Sequence, residues 1–278
     1  MPFATPSKIN LGLHVLRKRA DGYHDLETVF LPIGWSDQIT IEAAPDFSMT
    51  CSHPDLPVDE GNLCLKAARL LAQHTGYTGG VRIHLEKNLP VGAGLGGGSA
   101  NAARILVELT RLWNVQPAPE DLQNMAAQLG SDVAFFLHQT PAFAEGRGEV
   151  LHPLMDQNGQ PYRFPFSLCV VMPPLHVSTA AAYRAIRPHD VNRPDLRALV
   201  ASNNLAAWRA ALVNDFEAPI FDQFPLIATV KTALYDAGAA YAAMSGSGAA
   251  VFGVFAHPND AAQAALQFRQ NNWPVWWG

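Results

Sequence analysis

The chain has 278 residues, of which 49% are hydrophobic and 15% charged, so it can bury a core and is not intrinsically disordered. Its formal net charge of −5 gives no electrostatic basis for binding nucleic acid or anionic membranes. It has no apolar run long enough to span a membrane, no secretory signal core and only three scattered cysteines, so we expect a soluble cytoplasmic protein.

The N-terminal half is predicted to mix strands and helices around a glycine-rich loop. Its residue patterns predict four strands, over 9–16, 28–33, 38–43 and 81–86. Helical periodicity predicts three helices, over 63–75, 99–113 and 121–130. Trp35-Ser36-Asp37 lies between the second and third of these strands, and further predictions are a turn at 20–23, a capped apolar segment at 131–137 and a hairpin at 142–152.

The C-terminal half is predicted to hold helices and a few strands. The strands are predicted over 166–172, 239–244 and 249–255. The helices are predicted over 178–186 (capped by Ser178 or Thr179), 195–201, 203–213, 222–237 and 258–271. Asn, Gly and two Pro residues within 157–165 favour a boundary there, so we predict domains at 1–158 and 159–278. The aromatic tail, 273–278, indicates only packing or a subunit contact.

The most informative segment is the loop at 90–101, in which five glycines occupy seven positions, 92–98. It lies between a predicted strand and a predicted helix. Because glycine allows positive φ and close backbone approach, successive N–H groups can cradle an anion. The helix end adds N–H donors without partners and a partial positive charge. The loop is therefore predicted to bind phosphate.

Other phosphate loops fit this segment poorly. Gly92-x-Gly94-x-x-Gly97 matches the dinucleotide fingerprint, but about 80 residues precede it and no acidic residue ends the next segment. A Walker A loop needs a lysine after its glycines, whereas none lies between Lys87 and Lys231. The protein-kinase segments are absent. A turn without a ligand is disfavoured because ordering five glycines costs entropy.

Five segments, in order along nearly the whole chain, resemble the GHMP kinases, the family of galacto-, homoserine, mevalonate and phosphomevalonate kinases. They are Ala4-x-Pro6-x-Lys8-Ile9-Asn10-Leu11, Arg19-Ala20-Asp21-Gly22-Tyr23-His24, the loop 90–103, residues 130–133 with 143–148, and Ser245-Gly246-Ser247-Gly248. The second segment is similar to that of the family's kinases of the non-mevalonate isoprenoid pathway. It separates them from homoserine and mevalonate kinases.

The resemblance implies an α+β protein with the two-domain GHMP fold: an N-terminal ribosomal-protein-like β/α domain and a C-terminal ferredoxin-like α/β domain. It implies an ATP-dependent kinase that phosphorylates the 2-hydroxyl of a cytidine diphosphate-linked methylerythritol. The alternatives are another GHMP small-molecule kinase, such as homoserine kinase, and a catalytically inactive nucleotide-binding protein. We expect a monomer or weak homodimer.

Two residues are implied to be catalytic. Asp132 would be the base that accepts the hydroxyl proton, and Lys8 would reach this aspartate and the transferred phosphoryl group. Sequence alone also allows Asp132 to cap the helix after it, and Lys8 to be solvated beside a strand. Asn10 would bind the substrate or orient Lys8.

The resemblance also implies a cytidine site. Tyr23 would stack on the pyrimidine, His24 would read its edge, and Tyr183 is the candidate for the opposite face. An edge-packed tyrosine and a solvent-exposed histidine are the alternatives. Phe30 could pack nearby or belong to the core. Gly246, Ser247 and Gly248 would approach the substrate diphosphate, brace the phosphate loop, or simply form a hairpin turn.

The ATP phosphates are expected to contact the loop and the helix start. The residues expected to bind the nucleotide are Pro90, Gly92, Gly94, Leu95, Gly96, Gly97, Gly98, Ser99, Ala100 and Asn101. Mg²⁺ is expected with ATP, bound mostly through phosphates and water, so no residue is assigned as a metal ligand. Glu145 is the one candidate for an indirect ligand.

Overall fold

The computed structural model describes residues 2–278. The elements up to the middle of the chain are β1 (Phe3–Lys18), β2 (His24–Ala44), β3 (Ser48–Cys51), α1 (Leu63–Thr75), β4 (Gly80–Glu86), α2 (Gly97–Leu112), α3 (Pro119–Leu129), α4 (Val133–His138), β5 (Ala142–Glu145) and β6 (Val150–Pro153). The later elements are β7 (Ser167–Val171), α5 (Thr179–Ala185), α6 (Leu196–Ala201), α7 (Leu205–Ala211), α8 (Glu217–Gln223), α9 (Pro225–Asp236), β8 (Tyr241–Met244), β9 (Val251–Phe255), α10 (Pro258–Arg269) and β10 (Val275–Trp277). This mixture confirms the predicted α+β class.

The chain forms two compact units that interleave along the sequence. Unit 1 comprises 2–7, Ile33–Leu89 and Gly96–Gln139, and unit 2 comprises Lys8–Pro32, Pro90–Leu95 and Thr140–Gly278. β1 and β2 therefore contribute residues to both units. The predicted domains 1–158 and 159–278 stay a prediction, because compactness alone does not define a folding domain.

Unit 1 contains a sheet region and a group of helices. The second half of β2 pairs antiparallel with β4, Ile39 opposite Leu85, and β4 pairs in parallel with β3. α2 packs against α1 and α4. The buried faces of α1 and α2 include Leu71 and Leu106, both fully inaccessible to solvent. α1 begins where the sequence predicts, because the Asn62 side chain accepts from the backbone N–H of Cys64 at 2.9 Å.

Unit 2 contains an antiparallel sheet in the order β10-β7-β9-β8, with α9 and α10 packed against it. Val170 lies opposite Phe252 and Trp276 opposite Val170, so the aromatic tail is an edge strand of this sheet. The first half of β2 pairs with β5, and β5 with β6, as the predicted hairpin requires. Ser178 caps α5, accepting from the N–H of Ala181.

The predicted division of this region into two strands, over 28–33 and 38–43, is wrong, because β2 runs without a break through 35–37. Residues at every second position from Leu31 to Ile39 are buried, including Trp35 and Asp37. This alternation is what a half-buried strand requires, so Ser36-Asp37 does not interrupt the strand. Asp37 instead occupies a position of the strand that faces the core.

The predicted helix over 222–237 is wrong at its start. Residues 222–223 belong to α8, which ends before Pro225, and α9 begins with Pro225. Proline has no N–H to donate and fits the first turn of a helix, so it ends one helix and starts the next. No helix within 2–278 combines the length and apolar character that a bilayer span requires.

We expect the protein to lose stability as the pH falls from 6.5 to 4, because His14 is buried on β1. Neither ring nitrogen has a hydrogen-bond partner among residues 2–278, and Glu27 Oε2 is 4.0 Å from Nδ1. Burial, reinforced by Arg193 and opposed by Asp215, lowers the pKa of His14 from 6.5 to about 4. In this range His14 therefore binds a proton in the unfolded chain but not in the folded chain. This difference favours unfolding by about 3 kcal/mol at the acidic end.

Urea unfolding of the wild type and of His14→Phe at pH 7 and pH 4 tests this expectation. The variant removes the titrating group, so its free energy of unfolding should fall less over this range by about 3 kcal/mol. Equal pH dependence in the two proteins would show that His14 does not titrate as its burial requires.

Candidate active site

In unit 2, the first part of the glycine loop is held by its backbone. Gly92 and Gly94 have φ of 68° and 75°, in the left-handed region that favours glycine. A side chain on Gly94 would overlap the carbonyl oxygen of Ser245. The carbonyl of Leu95 accepts from the N–H of Lys8 at 3.0 Å, which ties the loop to β1. Pro90 precedes these glycines in the same segment.

In unit 1, the second part of the loop becomes the start of α2. Gly96 is the N-cap residue, with φ of 71°, and Gly97, Gly98 and Ser99 follow in the first turn, where a helix has no carbonyl to offer their N–H groups. The N–H of Ala100 donates to the Gly96 carbonyl at 2.9 Å. The partial positive charge of a helix N-terminus therefore lies where the sequence predicts a phosphate.

Asn101 faces the interior of unit 1. It is 2% exposed, its amide nitrogen donates to Asp37 Oδ2 at 3.1 Å, and its oxygen accepts from the Thr5 hydroxyl at 2.6 Å. These two hydrogen bonds hold α2 to the rest of unit 1.

Lys8 and Asn10 lie together beside the loop in unit 2. Lys8 Nζ donates to Asn10 Oδ1 at 2.8 Å and to the Gly94 carbonyl at 3.0 Å. Asn10 Nδ2 in turn donates to Thr28 Oγ1 at 2.9 Å. Lys8 is 4% exposed, so the alternative of a solvated surface lysine is wrong. Its ammonium also lies 5.2 Å from the ring centre of Phe30.

The turn between β8 and β9 braces the same loop. Ser245 Oγ donates to the Gly94 carbonyl at 3.0 Å, and Asn214 Nδ2 donates to the Gly246 carbonyl at 2.8 Å. The hydroxyls of Ser247 and Thr179 lie 3.1 Å apart. Gly248, with φ of 91°, closes the turn. Asn214 and Thr179 carry no local sequence signal for these contacts, because their partners lie more than 30 residues away.

The predicted aromatic residues are only partly brought together. The rings of His24 and Tyr183 stack with centroids 5.0 Å apart, and Phe216 packs edge-on against Tyr183. Tyr23 is 56% exposed, with the Arg147 guanidinium 5.0 Å from its ring centre.

His24 is suited to hydrogen bonding rather than to carrying charge. Burial, with a contribution from Lys18, lowers its pKa below the usual value of a histidine. The ring is therefore neutral at pH 7 and offers one donor and one acceptor nitrogen.

Asp132 lies at the N-cap position of α4, but its side chain accepts no capping hydrogen bond. The alternative that its carboxylate serves as a cap is therefore wrong. The side chain is half-buried in unit 1.

The described residues offer no cage for a metal ion. Within 2–278, no three His, Cys, Asp or Glu side chains are grouped so that they could hold one. Glu145, the candidate indirect ligand, pairs with His152 Nε2 at 3.0 Å. A protein-only Mg²⁺ site does not fit these side chains.

Family models for the GHMP kinases match the chain in both halves: the N-terminal domain over 62–140 and the C-terminal domain over 195–274. A relative from Salinibacter ruber, named 4-diphosphocytidyl-2-C-methyl-D-erythritol kinase, is 50% identical, and the alignment covers 96% of this chain and 94% of the relative. A relative of the same name from Chlorobium chlorochromatii is 46% identical over 92% of this chain and 88% of its own.

The solved structures agree with these sequences. A crystal structure of 4-(cytidine 5'-diphospho)-2C-methyl-D-erythritol kinase is 37% identical, covers 100% of this chain and 98% of its own, and has a TM-score of 0.83. A homoserine kinase from Cytophaga hutchinsonii, 17% identical with a TM-score of 0.68 over 98% of this chain and 93% of its own, shares the fold. The chain belongs to the GHMP kinase family.

Proposed function

We propose that this kinase transfers the terminal phosphoryl group of ATP to the 2-hydroxyl of 4-diphosphocytidyl-2-C-methyl-D-erythritol, giving the 2-phosphate and ADP. The observation that carries the proposal is the 50% identity, over 96% of the chain, to a relative named for this substrate. The reaction belongs to the non-mevalonate isoprenoid pathway.

Binding of ATP is assigned to the glycine loop and the start of α2. Phosphoryl transfer depends mainly on positioning and on neutralising charge. The N–H groups of Gly97, Gly98 and Ser99 suit the phosphates, because they end a helix whose dipole favours an anion. When bound together with ATP, Mg²⁺ would neutralise phosphate charge, and we assign no side chain to it.

The chemical step is assigned to Asp132 and Lys8. Asp132 is the base that takes the proton from the attacking hydroxyl. Lys8 places its ammonium where negative charge develops on the transferred group. Its hydrogen bonds to Asn10 and to the Gly94 carbonyl hold that ammonium in one place.

The cytidine is assigned to Tyr23 and His24. The exposed ring of Tyr23 offers a face on which a pyrimidine stacks, and neutral His24 reads the edge of the base. Tyr183, whose ring stacks on His24, is assigned to the face of the base opposite Tyr23. Gly246, Ser247 and Gly248 are assigned to the substrate diphosphate. We also propose a cytoplasmic location and a monomer or weak homodimer.

A coupled assay of ADP release tests the substrate. With ATP and Mg²⁺ present, kcat/KM for 4-diphosphocytidyl-2-C-methyl-D-erythritol should exceed that for L-homoserine and for mevalonate by at least about 100-fold, because buried polar groups reject a substrate that leaves them unpaired. A preference for homoserine would indicate that the protein belongs to another branch of the family. ATP binding without turnover of any alcohol would instead support the inactive nucleotide-binding alternative.

A further inference from the structure

Asp37 is a carboxylate in the core of unit 1 that no step of the proposed reaction uses. It stands at a core-facing position of β2, between Trp35 and Ile39, and is 0% exposed. A buried carboxylate is costly unless it is paired and hydrogen-bonded. Its partners therefore show what holds it there.

Four donors from two neighbouring segments converge on Asp37. Oδ1 accepts from the backbone N–H groups of Asn88 at 2.8 Å and Leu89 at 2.7 Å. Oδ2 accepts from Lys87 Nζ at 2.6 Å and from Asn101 Nδ2 at 3.1 Å. Lys87 is itself nearly buried, with its side chain 6% exposed.

These donors belong to the two ends of the glycine loop that lie in unit 1. Asn88 and Leu89 are the last residues of the unit before the loop leaves it, and Asn101 lies in the early turns of α2, where the loop returns. Lys87 Nζ lies 3.3 Å from where a β-carbon on Gly97 would be, so the ion pair adjoins the first residue of α2. One carboxylate therefore joins the start of the loop to its end.

We propose that Asp37 is a positioning residue for ATP: it sets the N–H groups at the start of α2 in the arrangement that receives the phosphates. The inference rests on the proposed binding of ATP at this helix start. Asp37 does not contact the nucleotide; it acts through Leu89, Lys87 and Asn101.

Two variants and one matched control test the proposal by steady-state kinetics. Asp37→Asn keeps the volume and removes the charge, and Asn101→Ala removes the link to α2 while leaving Asp37 paired with Lys87. The control is Glu108→Gln, which also removes a buried carboxylate of unit 1, this one on α2. The Glu108 side chain is 4% exposed and accepts from Arg111 at 3.1 Å. Glu108 lies eleven residues after Gly97, roughly 16 Å along the helix.

Asp37→Asn should raise KM for ATP about 10-fold, the effect of losing interactions worth about 1.4 kcal/mol, while KM for the alcohol substrate changes less than about 2-fold. Asn101→Ala should also raise KM for ATP. Glu108→Gln should leave KM for ATP unchanged, although it lowers the melting temperature by a similar amount. If Asp37→Asn does not fold, the comparison of Asn101→Ala with Glu108→Gln decides.

Three outcomes would overturn the proposal. They are an equal KM for ATP in Asn101→Ala and Glu108→Gln, an equal rise of both substrates' KM values in Asp37→Asn, and a lower KM for ATP in Asp37→Asn. The last would mean that the carboxylate acts by repelling phosphate. A wild type that does not turn over ATP would instead contradict the proposed function, and wild-type activity is therefore measured first.

Discussion

Asp132→Asn is expected to lower kcat about 10²- to 10⁴-fold, the usual contribution of a general base. The amide has nearly the same shape but cannot accept the hydroxyl proton at neutral pH. The Asp132 side chain makes no capping hydrogen bond, so its replacement removes no cap from α4. The measurement is the single-turnover rate of phosphoryl transfer at saturating ATP and alcohol, with circular dichroism to confirm folding.

Asp121→Asn is the matched control for this variant. Asp121 is also in unit 1, on α3, with its side chain 38% exposed and 3.2 Å from His74 Nε2. Its kcat should stay within about 2-fold of the wild type, since surface substitutions rarely change more than local interactions. A rate for Asp132→Asn within about 3-fold of Asp121→Asn would remove Asp132 from the mechanism.

Lys8→Met is expected to lower kcat by about 10²- to 10³-fold, because one preorganised donor to developing negative charge contributes about that much. The methionine fills a similar volume without the ammonium. It also leaves Asn10 Oδ1 without this donor, which we expect to cost about 1–3 kcal/mol of stability, whereas the Gly94 carbonyl keeps its hydrogen bond from Ser245 Oγ.

The control separates a catalytic effect of the lost ammonium from a loss of stability. Lys231→Met removes another partly buried lysine of unit 2, whose Nζ lies 2.6 Å from Glu217 Oε2. Both variants should lose stability in urea unfolding, but only Lys8→Met should lose kcat at temperatures where both are fully folded. Equal kcat values in the two variants would show that Lys8 has a structural role alone.

Much of the local structure follows from residue patterns alone. The helix α1 begins at Leu63, as predicted, because Asn62 is a good N-cap and the apolar period follows it directly. The start of α5 follows for the same reason, with Ser178 as its cap, whereas the β5–β6 hairpin follows from Gly146 and Gly148 in its turn. The prediction fails in β2, where the polar pair Ser36-Asp37 is placed between two strands although burial alternates through it. A polar residue at a core-facing position of a strand is the signal that would have identified Asp37.

The same distinction between local sequence signals and contacts with distant segments applies to the site residues. The positive φ of Gly92, Gly94 and Gly96 could be predicted, since only glycine adopts it without strain. The direction of the Asn101 side chain could not, because its partners Thr5 and Asp37 lie 96 and 64 residues away in the sequence. The stacking of Tyr183 on His24 likewise depends on packing between distant segments.

The sequence by itself determined the family, the phosphate loop at a helix start, and the candidate residues Asp132 and Lys8, because each is encoded in a short segment. Only the tertiary structure decided which of these side chains are buried and what they bond. It holds Lys8 on Asn10 and Gly94, and it turns Asn101 inward to Asp37. The physical reason is that a buried polar group must find partners, and those partners are supplied by whichever distant segment the fold brings beside it.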